Sequence, residues 1–398
     1  MSSARHDFDR HLAQTSATPL GLEIVRAEGS WLVARDGRRY LDLIAGIGVT
    51  ALGHGHPAIL AALEQQARRH LHVMVYGEYV LESQTQLAAR LANLLPSSLT
   101  RVYFTNSGAE AIEGALKAAR KFTQRQAFVA FEGAYHGDTM GALALAGNPD
   151  FRRPFGPLTG PVKHLPYGDA GALDLIDADT AAVVIEPVQA EGGVRIPSAD
   201  FMHALRARCD ATGSLLVFDE VLTGLGRTGR LFALEHFGVV PDLIVLAKAL
   251  GGGLPLGAFC GRDDVIGVLS HDPPLGHITT FGGHPLSCAT ALAALTLIVE
   301  ERLYDRARTI GDYLMRRLRE SHLEGIREVR GLGLLIGVEF ASPEKARTFV
   351  HGCIARGVIV NWTLNADRVV RLAPPLTLSQ DEADFALSVM ATAATASA

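Results

Sequence analysis

Residues 215–253 read LLVFDEVLTGLGRTGRLFALEHFGVVPDLIVLAKALGGG, and this stretch decides the fold. It holds two apolar runs that each finish on a charge. Leu215-Leu216-Val217-Phe218 ends on Asp219, and Leu243-Ile244-Val245-Leu246-Ala247 ends on Lys248. Short apolar runs bounded by turn residues are the pattern of strands buried on both faces, as in a parallel sheet. The residues between the two charges suit one helical crossover. Adjacent parallel strands would then deliver an acid and an amine at their carboxyl ends, where open α/β sheets bind ligands. Such a pair suggests one cofactor gripped at two points.

Upstream, the same alternation recurs. Arg101 to Lys121 reads strand, small-residue turn, helix, with Ala109, Ile112, Leu116 and Ala119 on one helical face. Phe128 to Glu132 is a strand leading into Tyr135-His136-Gly137-Asp138, and Ala181 to Ile185 is a buried strand ending on Glu186. Ser198 to Gly213 is a helix with Met202, Leu205 and Cys209 inward and Gly213 as its stop. Repeated strand and helix predict an α/β fold with a mostly parallel central sheet and helices on both faces. Downstream, Leu254 to Gly261 adds a strand, and a helix spans Leu286 to Glu301.

Beyond that helix the texture turns α+β. Gly331 to Phe340 is strand-like, Pro343 to Arg356 is a helix with Ser342 as N-cap, and Gly357 to Val360 is strand-like. Val369 to Leu372 is a strand carrying Arg371, and a helix runs from Ser379 to about Ala391 before an Ala-rich tail expected to fray. Near the start, Ser30 to Leu43 forms a hairpin about Gly37, and Pro57 to Leu95 is helical. The expected division is a large domain over 55–290 and a smaller α+β domain built from 1–54 and 291–398.

Composition narrows the function classes. The chain has 398 residues, 48% hydrophobic and 20% charged, enough for a large core. Its net charge of −5 leaves no basic footprint for nucleic acid. Four cysteines without CxxC spacing indicate neither a zinc site nor a disulfide framework, and a cytoplasmic location is expected. The first residues lack an apolar leader core, and no stretch of ~18 apolar residues suggests a membrane span. His54 and His56 lack a third ligand at a usual spacing and read as loop structure rather than metal ligands.

Four features combine into one chemistry. Free amides at the turn Ser107-Gly108-Ala109, opening a helix, can receive a phosphate, although Ser107 could equally be a plain N-cap. Tyr135 can lie flat on a planar ring. Asp219 can pair with a protonated ring nitrogen, and Lys248, among Leu246, Ala247, Ala249 and Leu250, can form a Schiff base and carry protons. These are the grips that pyridoxal 5'-phosphate requires. Gly224-Leu225-Gly226-Arg227-Thr228-Gly229 matches a dinucleotide-binding GxGxxG, but Asp219 and Glu220 stand between it and the strand and would repel a pyrophosphate.

The chain resembles class III (ornithine and ω-amino-acid type) pyridoxal-phosphate aminotransferases. The resemblance rests on NSGAEA at Asn106, YHGDT at Tyr135, EPVQAEGG at Glu186, FDEVLTGLGRTG at Phe218, DLIVLAKALGGGLPLGA at Asp242, TTFGGHP at Thr279 and VVRLAPPLT at Val369. It implies a fold-type I homodimer with active sites at the subunit interface, while charge and hydropathy point to no nucleic-acid or membrane partner. Thr280 would reach the neighbouring subunit's cofactor phosphate, Val221 would cover the ring face opposite Tyr135, and His136 and Glu186 would belong to the cofactor site. Arg371 would bind a substrate carboxylate that Glu191 otherwise replaces, and Ile47 would sit over the substrate.

Three positions depart from the family pattern. Asp138 stands where acetylornithine and γ-aminobutyrate enzymes carry a carboxylate-binding arginine, which disfavours both substrates and leaves Asp138 to meet a substrate ammonium or to hold its loop. Leu222 replaces a common glutamine, and His284 a common asparagine. The implied activity is transfer of an amino group from a primary amine, diamine or ω-amino acid to a 2-oxo acid such as 2-oxoglutarate or pyruvate. An acetylornithine/ornithine-type enzyme, a same-fold aminomutase or a decarboxylase is the alternative. From other classes, a nicotinamide oxidoreductase and a silent cofactor-binding protein stand as rivals.

Overall fold

Leu215–Asp219 pairs in parallel with Thr180–Ile185 on one side and Leu243–Leu246 on the other. All three strands are buried along their whole length, which is why their sequence shows continuous apolar runs rather than alternation. The computed structural model describes residues 4–321, 323 and 325–395. Among the described residues the strands form sheets of seven, four and four.

The seven-stranded sheet runs Arg101–Thr105, Gly257–Gly261, Leu243–Leu246, Leu215–Asp219, Thr180–Ile185, Ala127–Phe131, Val162–Leu165. Gly257–Gly261 is antiparallel to both neighbours, and the other pairings are parallel. Successive strand residues serve two cores. Leu216, Phe218, Ile244 and Leu246 pack with Phe201, Met202, Leu205 and Cys209 of the helix Ala199–Thr212. Val217, Leu243 and Val245 pack with Ala111, Ile112 and Ala115 of the helix Gly108–Thr123 on the opposite face. That helix lies close to the sheet because Gly114 has no side chain, and a Cβ there would fall 2.3 Å from the Phe259 ring. Helices therefore cover both faces, as the alternation predicted.

The remaining sheets join distant pieces. Ile24–Glu28, Trp31–Ala34 and Arg39–Asp42 form an antiparallel meander, and Val358–Ile359 adds in parallel to Arg39–Asp42. The other sheet orders Ile326–Leu332, Leu335–Phe340, Val369–Leu372 and Asn361–Trp362, all antiparallel. Among the described residues no helix is long and apolar enough to cross a membrane.

Four expectations need correction. The connection from Asp219 to Leu243 is not a helical crossover. It is a run of turns with one short 3₁₀ segment, Ala233–His236, because Gly224, Gly226, Gly229 and Gly238 interrupt any helix. Pro57–Leu95 holds two helices, Pro57–Arg69 and Glu82–Leu94, separated by an extended segment. The single strand expected over Gly331–Phe340 spans the end of one strand, Ile326–Leu332, a tight turn and the whole of its hairpin partner, Leu335–Phe340. The helix Leu303–Glu320 had no counterpart in the sequence reading, although Leu303, Ala307, Ile310, Leu314 and Leu318 mark its buried face. At the C-terminus the helix Gln380–Thr395 continues through the segment expected to fray, and 396–398 lie outside the described residues.

Candidate active site

A cavity of about 440 Å³ opens at the carboxyl ends of the parallel strands. Asp219 and Lys248 both line it, as do Ser107, Gly108 and Ala109 from the turn after Arg101–Thr105. Tyr135, His136 and Asp138 line it from the loop after Ala127–Phe131, and Glu186 and Glu191 from the segment after Thr180–Ile185. Val221 and Leu222 complete the wall beyond Asp219.

Asp219 is 4% exposed and held by two contacts. His136 Nδ1 lies 2.7 Å from its Oδ2, and the Val221 amide donates to its Oδ1 at 2.9 Å. Burial opposes a charged His136, but the hydrogen bond and charge of Asp219, with Glu186 nearby, raise its pKa above the usual histidine value. The His136 Nε2 atom is buried without a partner. Burial pushes the Glu186 carboxyl up to about 7. Its oxygens accept from the amides of Tyr135 (3.1 Å) and Ala190 (3.0 Å), which ties the loop of Tyr135 to the segment of Glu191.

Lys248 follows the Leu243–Leu246 strand with a left-handed φ of 49°. For a residue with a Cβ that conformation costs roughly 1–2 kcal/mol, and it persists only where surrounding structure over-determines it. Ala247, Ala249 and Leu250 around it are buried. Burial lowers the Lys248 pKa, and the charge of Arg371 lowers it further.

Ser107 caps the helix Gly108–Thr123, its Oγ accepting from the Glu110 amide at 3.2 Å. The amides of Gly108 and Ala109 precede the first intrahelical bond, from Ala111 to the Ser107 carbonyl. Gly108 needs its missing side chain, since a Cβ would meet Val221 at 3.0 Å and Ala247 at 3.4 Å. Asn106 Nδ2 donates to Thr279 Oγ1 (3.0 Å), which brings the Thr280 loop beside this turn. Tyr135 Oη donates to Asp138 Oδ2 at 2.8 Å, and burial with that bond raises the phenol's pKa.

Arg371 is 2% exposed and ion-paired with Glu191, whose other oxygen accepts from the Leu364 amide at 2.8 Å. Burial alone would raise the Glu191 pKa, yet Arg371 brings it below the usual carboxylate value. Arg371 does not itself line the cavity and stands behind Glu191. Two other sequence-derived residues lie off it. Ile47 sits in a left-handed turn (φ 66°) and is 38% exposed, while Val49 reaches the wall. Thr280 is exposed and outside the cavity of its own chain.

Several contributors were not singled out from sequence. Glu113 Oε1 accepts from Thr139 Oγ1 (2.6 Å) and the Gly141 amide (2.8 Å), anchoring the loop that carries Asp138. A glutamate one position past Ile112, beside the helix's apolar face, was the available signal. The wall segment Gly253 to Leu256 lies inside the DLIVLAKALGGGLPLGA motif, which assigned it no role. His54 and His56 are both engaged in loop structure, His54 Nε2 lying 2.9 Å from Asp42 Oδ2 and His56 Nδ1 capping the Ala58 amide.

The residues fit pyridoxal phosphate. A helix N-terminus closely approached by Val221 at Gly108, a buried carboxylate backed by a histidine, and an amine of lowered pKa converge on one cavity. Comparison with known proteins agrees. Residues 12–394 match the family described as Aminotransferase class-III. The chain is 45% identical to an acetylornithine aminotransferase of Methanopyrus kandleri over 99% of both chains. It is 41% identical to a putrescine aminotransferase of Pectobacterium atrosepticum over 90% of this chain and 79% of that one. An ornithine aminotransferase from Toxoplasma gondii matches with TM-score 0.91 and 33% identity, covering 99% of this chain and 96% of that one. An (S)-enantioselective omega-transaminase from Thermomicrobium roseum matches with TM-score 0.91 and 33% identity, covering 98% and 97%.

Proposed function

This chain belongs to the class-III aminotransferases, pyridoxal-phosphate-dependent enzymes, and from that premise we propose that it moves an amino group from an ornithine-type donor to 2-oxoglutarate. The carrying observation is the buried Arg371–Glu191 ion pair beside the cavity. One buried guanidinium cannot serve both a dicarboxylate and an amine donor unless a carboxylate neutralises it for one of them. Glu191 does so for the amine, and the 2-oxo acid's carboxylate takes its place in the return step. Donor identity rests on likeness to acetylornithine and ornithine aminotransferases, which reverses the order that Asp138 suggested.

Bound in the cavity, pyridoxal phosphate supplies an electron sink that acidifies the amine-bearing carbon of the substrate. The amides at Ser107, Gly108 and Ala109 would hold its phosphate at the helix N-terminus. The Asp219 carboxylate would hold the ring nitrogen protonated, and His136 keeps that carboxylate in place. Tyr135 and Val221, both on the cavity wall, would bound the two ring faces. Lys248 Nζ, its pKa lowered by burial, would anchor the cofactor and could take up a proton from the neighbouring substrate carbon. Glu186 holds the two loops that carry Tyr135 and Glu191. Thr280, off the cavity of its own chain, would serve a second copy's phosphate in a homodimer. Residues 55–290 act as the cofactor-holding domain. The terminal segments form the smaller one, a division supported by the pairing of Val358–Ile359 with Arg39–Asp42.

A second reading has one specific support. Asp138 at the cavity wall would repel a donor's carboxylate and attract a distal ammonium, which favours a diamine such as putrescine. The test is a half-reaction screen of N-acetylornithine, ornithine, putrescine and short ω-amino acids, followed by loss of the cofactor's visible absorbance. Fastest loss with N-acetylornithine or ornithine supports the first reading, and fastest loss with putrescine the second. No loss with any donor sinks both.

A further inference from the structure

The Gly224–Gly229 loop has the letters of a phosphate-binding turn yet lines no part of the cavity, and at its centre Arg227 is only 2% exposed. A buried guanidinium ordinarily requires a carboxylate partner. Among the described residues none pairs with Arg227. Its Nη1 donates to the carbonyls of Leu334 (3.3 Å) and Pro374, and its Nη2 is buried without a partner. The same sheet grips the loop in return. The Leu334 amide donates to the Arg227 carbonyl at 2.9 Å, and a Cβ on Gly333 would fall 2.5 Å from the Gly229 nitrogen. Pro374 follows closely on Arg371 at the end of the Val369–Leu372 strand, so Arg227 holds the exit of the strand that carries Arg371. Burial and the Arg371 charge push Arg227 down to about 9, which leaves it a cation at neutral pH.

Charge counting gives this arrangement a use. With Glu191 on Arg371, the two guanidinium groups and one carboxylate carry one positive charge in excess. When a substrate carboxylate displaces Glu191 but Glu191 stays nearby, the group becomes neutral. Without Arg227 the same event would leave one negative charge in excess at a largely desolvated place. We propose that Arg227 is a positioning residue for Arg371, fixing its strand end and supplying the second positive charge that lets Glu191 and a substrate carboxylate occupy that side of the site together. This rests on the Glu191–Arg371 exchange proposed above.

The two half-reactions of the holoenzyme, measured separately and normalised to bound cofactor, test it. Arg227→Gln keeps a donor for the carbonyls and loses the charge. It should raise the 2-oxoglutarate concentration for half-maximal rate by about tenfold or more and change the amine half-reaction by less than about threefold. Arg227→Lys keeps the charge and should stay within about threefold of the parent for 2-oxoglutarate. Equal losses in both half-reactions, or a lysine variant as impaired as the glutamine variant, would overturn the assignment. Should Arg227→Gln fail to fold, the lysine variant decides alone, because an impaired response to 2-oxoglutarate contradicts charge balancing. Arg371→Lys separates the two levels. If it leaves the 2-oxoglutarate half-reaction intact, the exchange itself is wrong. If it impairs that step while Arg227→Gln does not, only the role of Arg227 is lost.

Discussion

Two glycine-bearing turns follow strands of the same sheet and do opposite work. At Asn106–Ala109 the chain enters a helix at once, and the amides of Gly108 and Ala109, residues of the cavity wall, stay ahead of the first intrahelical bond. At Gly224–Gly229 no helix begins. Gly224 N–H donates to the Glu220 carbonyl, Gly226 N–H to Leu231 and Gly229 N–H to the Gly226 carbonyl, so the loop spends its donors on itself. Glu220, 1% exposed and with its pKa raised by burial to about 8, accepts from the Ala233 and Leu234 amides and stiffens the same connection. An anion site comes from the helix and its unspent amides, not from glycine spacing.

Substitutions should therefore divide between those that remove the ligand's grip and those that loosen the fold. Lys248→Ala is the extreme of the first kind. Activity should fall by about 10³-fold or more, on the scale of losing a catalytic nucleophile, while the thermal midpoint of the cofactor-free chain holds or rises. A variant that lost its fold along with activity would blur the division. Gly333→Ala is the extreme of the second kind. Its Cβ would press on Gly229 and Thr228 at 2.5 Å with a φ of +54°, and denaturant melts should show a loss of about 3 kcal/mol.

Gly108→Ala tests the cup directly. Contacts of 3.0 Å with Val221 should weaken cofactor binding by about tenfold, or about 1.4 kcal/mol, with the cofactor-free stability almost unchanged. Titration of the cofactor-free protein checks the first number and a melt the second. If Gly108→Ala costs as much fold stability as Gly333→Ala, the two turns do not differ in kind.

The smallest effect concerns His136. Its folded pKa is raised over the ordinary 6.5 by Asp219, so its stabilising contribution is complete below that value and is lost as pH rises through the folded one. Cofactor-free His136→Gln should be less stable than the parent by about 1 kcal/mol at pH 6 or below, and the gap should close on the alkaline side. A gap that widened with pH would reverse the sign and remove His136 as the support of a charged Asp219.

Much of this was legible beforehand because it is local. Two buried runs ending on Asp219 and Lys248, the capped helix after Ser107 and the inward face of Ala199–Thr212 each follow from periodicity and turn chemistry within a few residues. The crossover is absent for an equally local reason, since four glycines in one connection cannot make a stable helix. The left-handed turn at Ile47 was not legible. An isoleucine there is strained, and Asp42, accepting from the Ile44 and Ala45 amides, helps to hold that turn.

By itself the sequence determined the strand and helix alternation, the acid and amine at neighbouring strand ends, and the likeness to one enzyme family. That likeness also named Glu191 as the partner of Arg371, whereas tertiary structure decided that the pair, 180 positions apart, is buried and that Arg227 lies without a carboxylate beside the same strand end. The reason is physical. Periodicity reports how a residue sits on its own element, whereas the partner of a buried charge is chosen by packing between elements, and no local pattern carries that information.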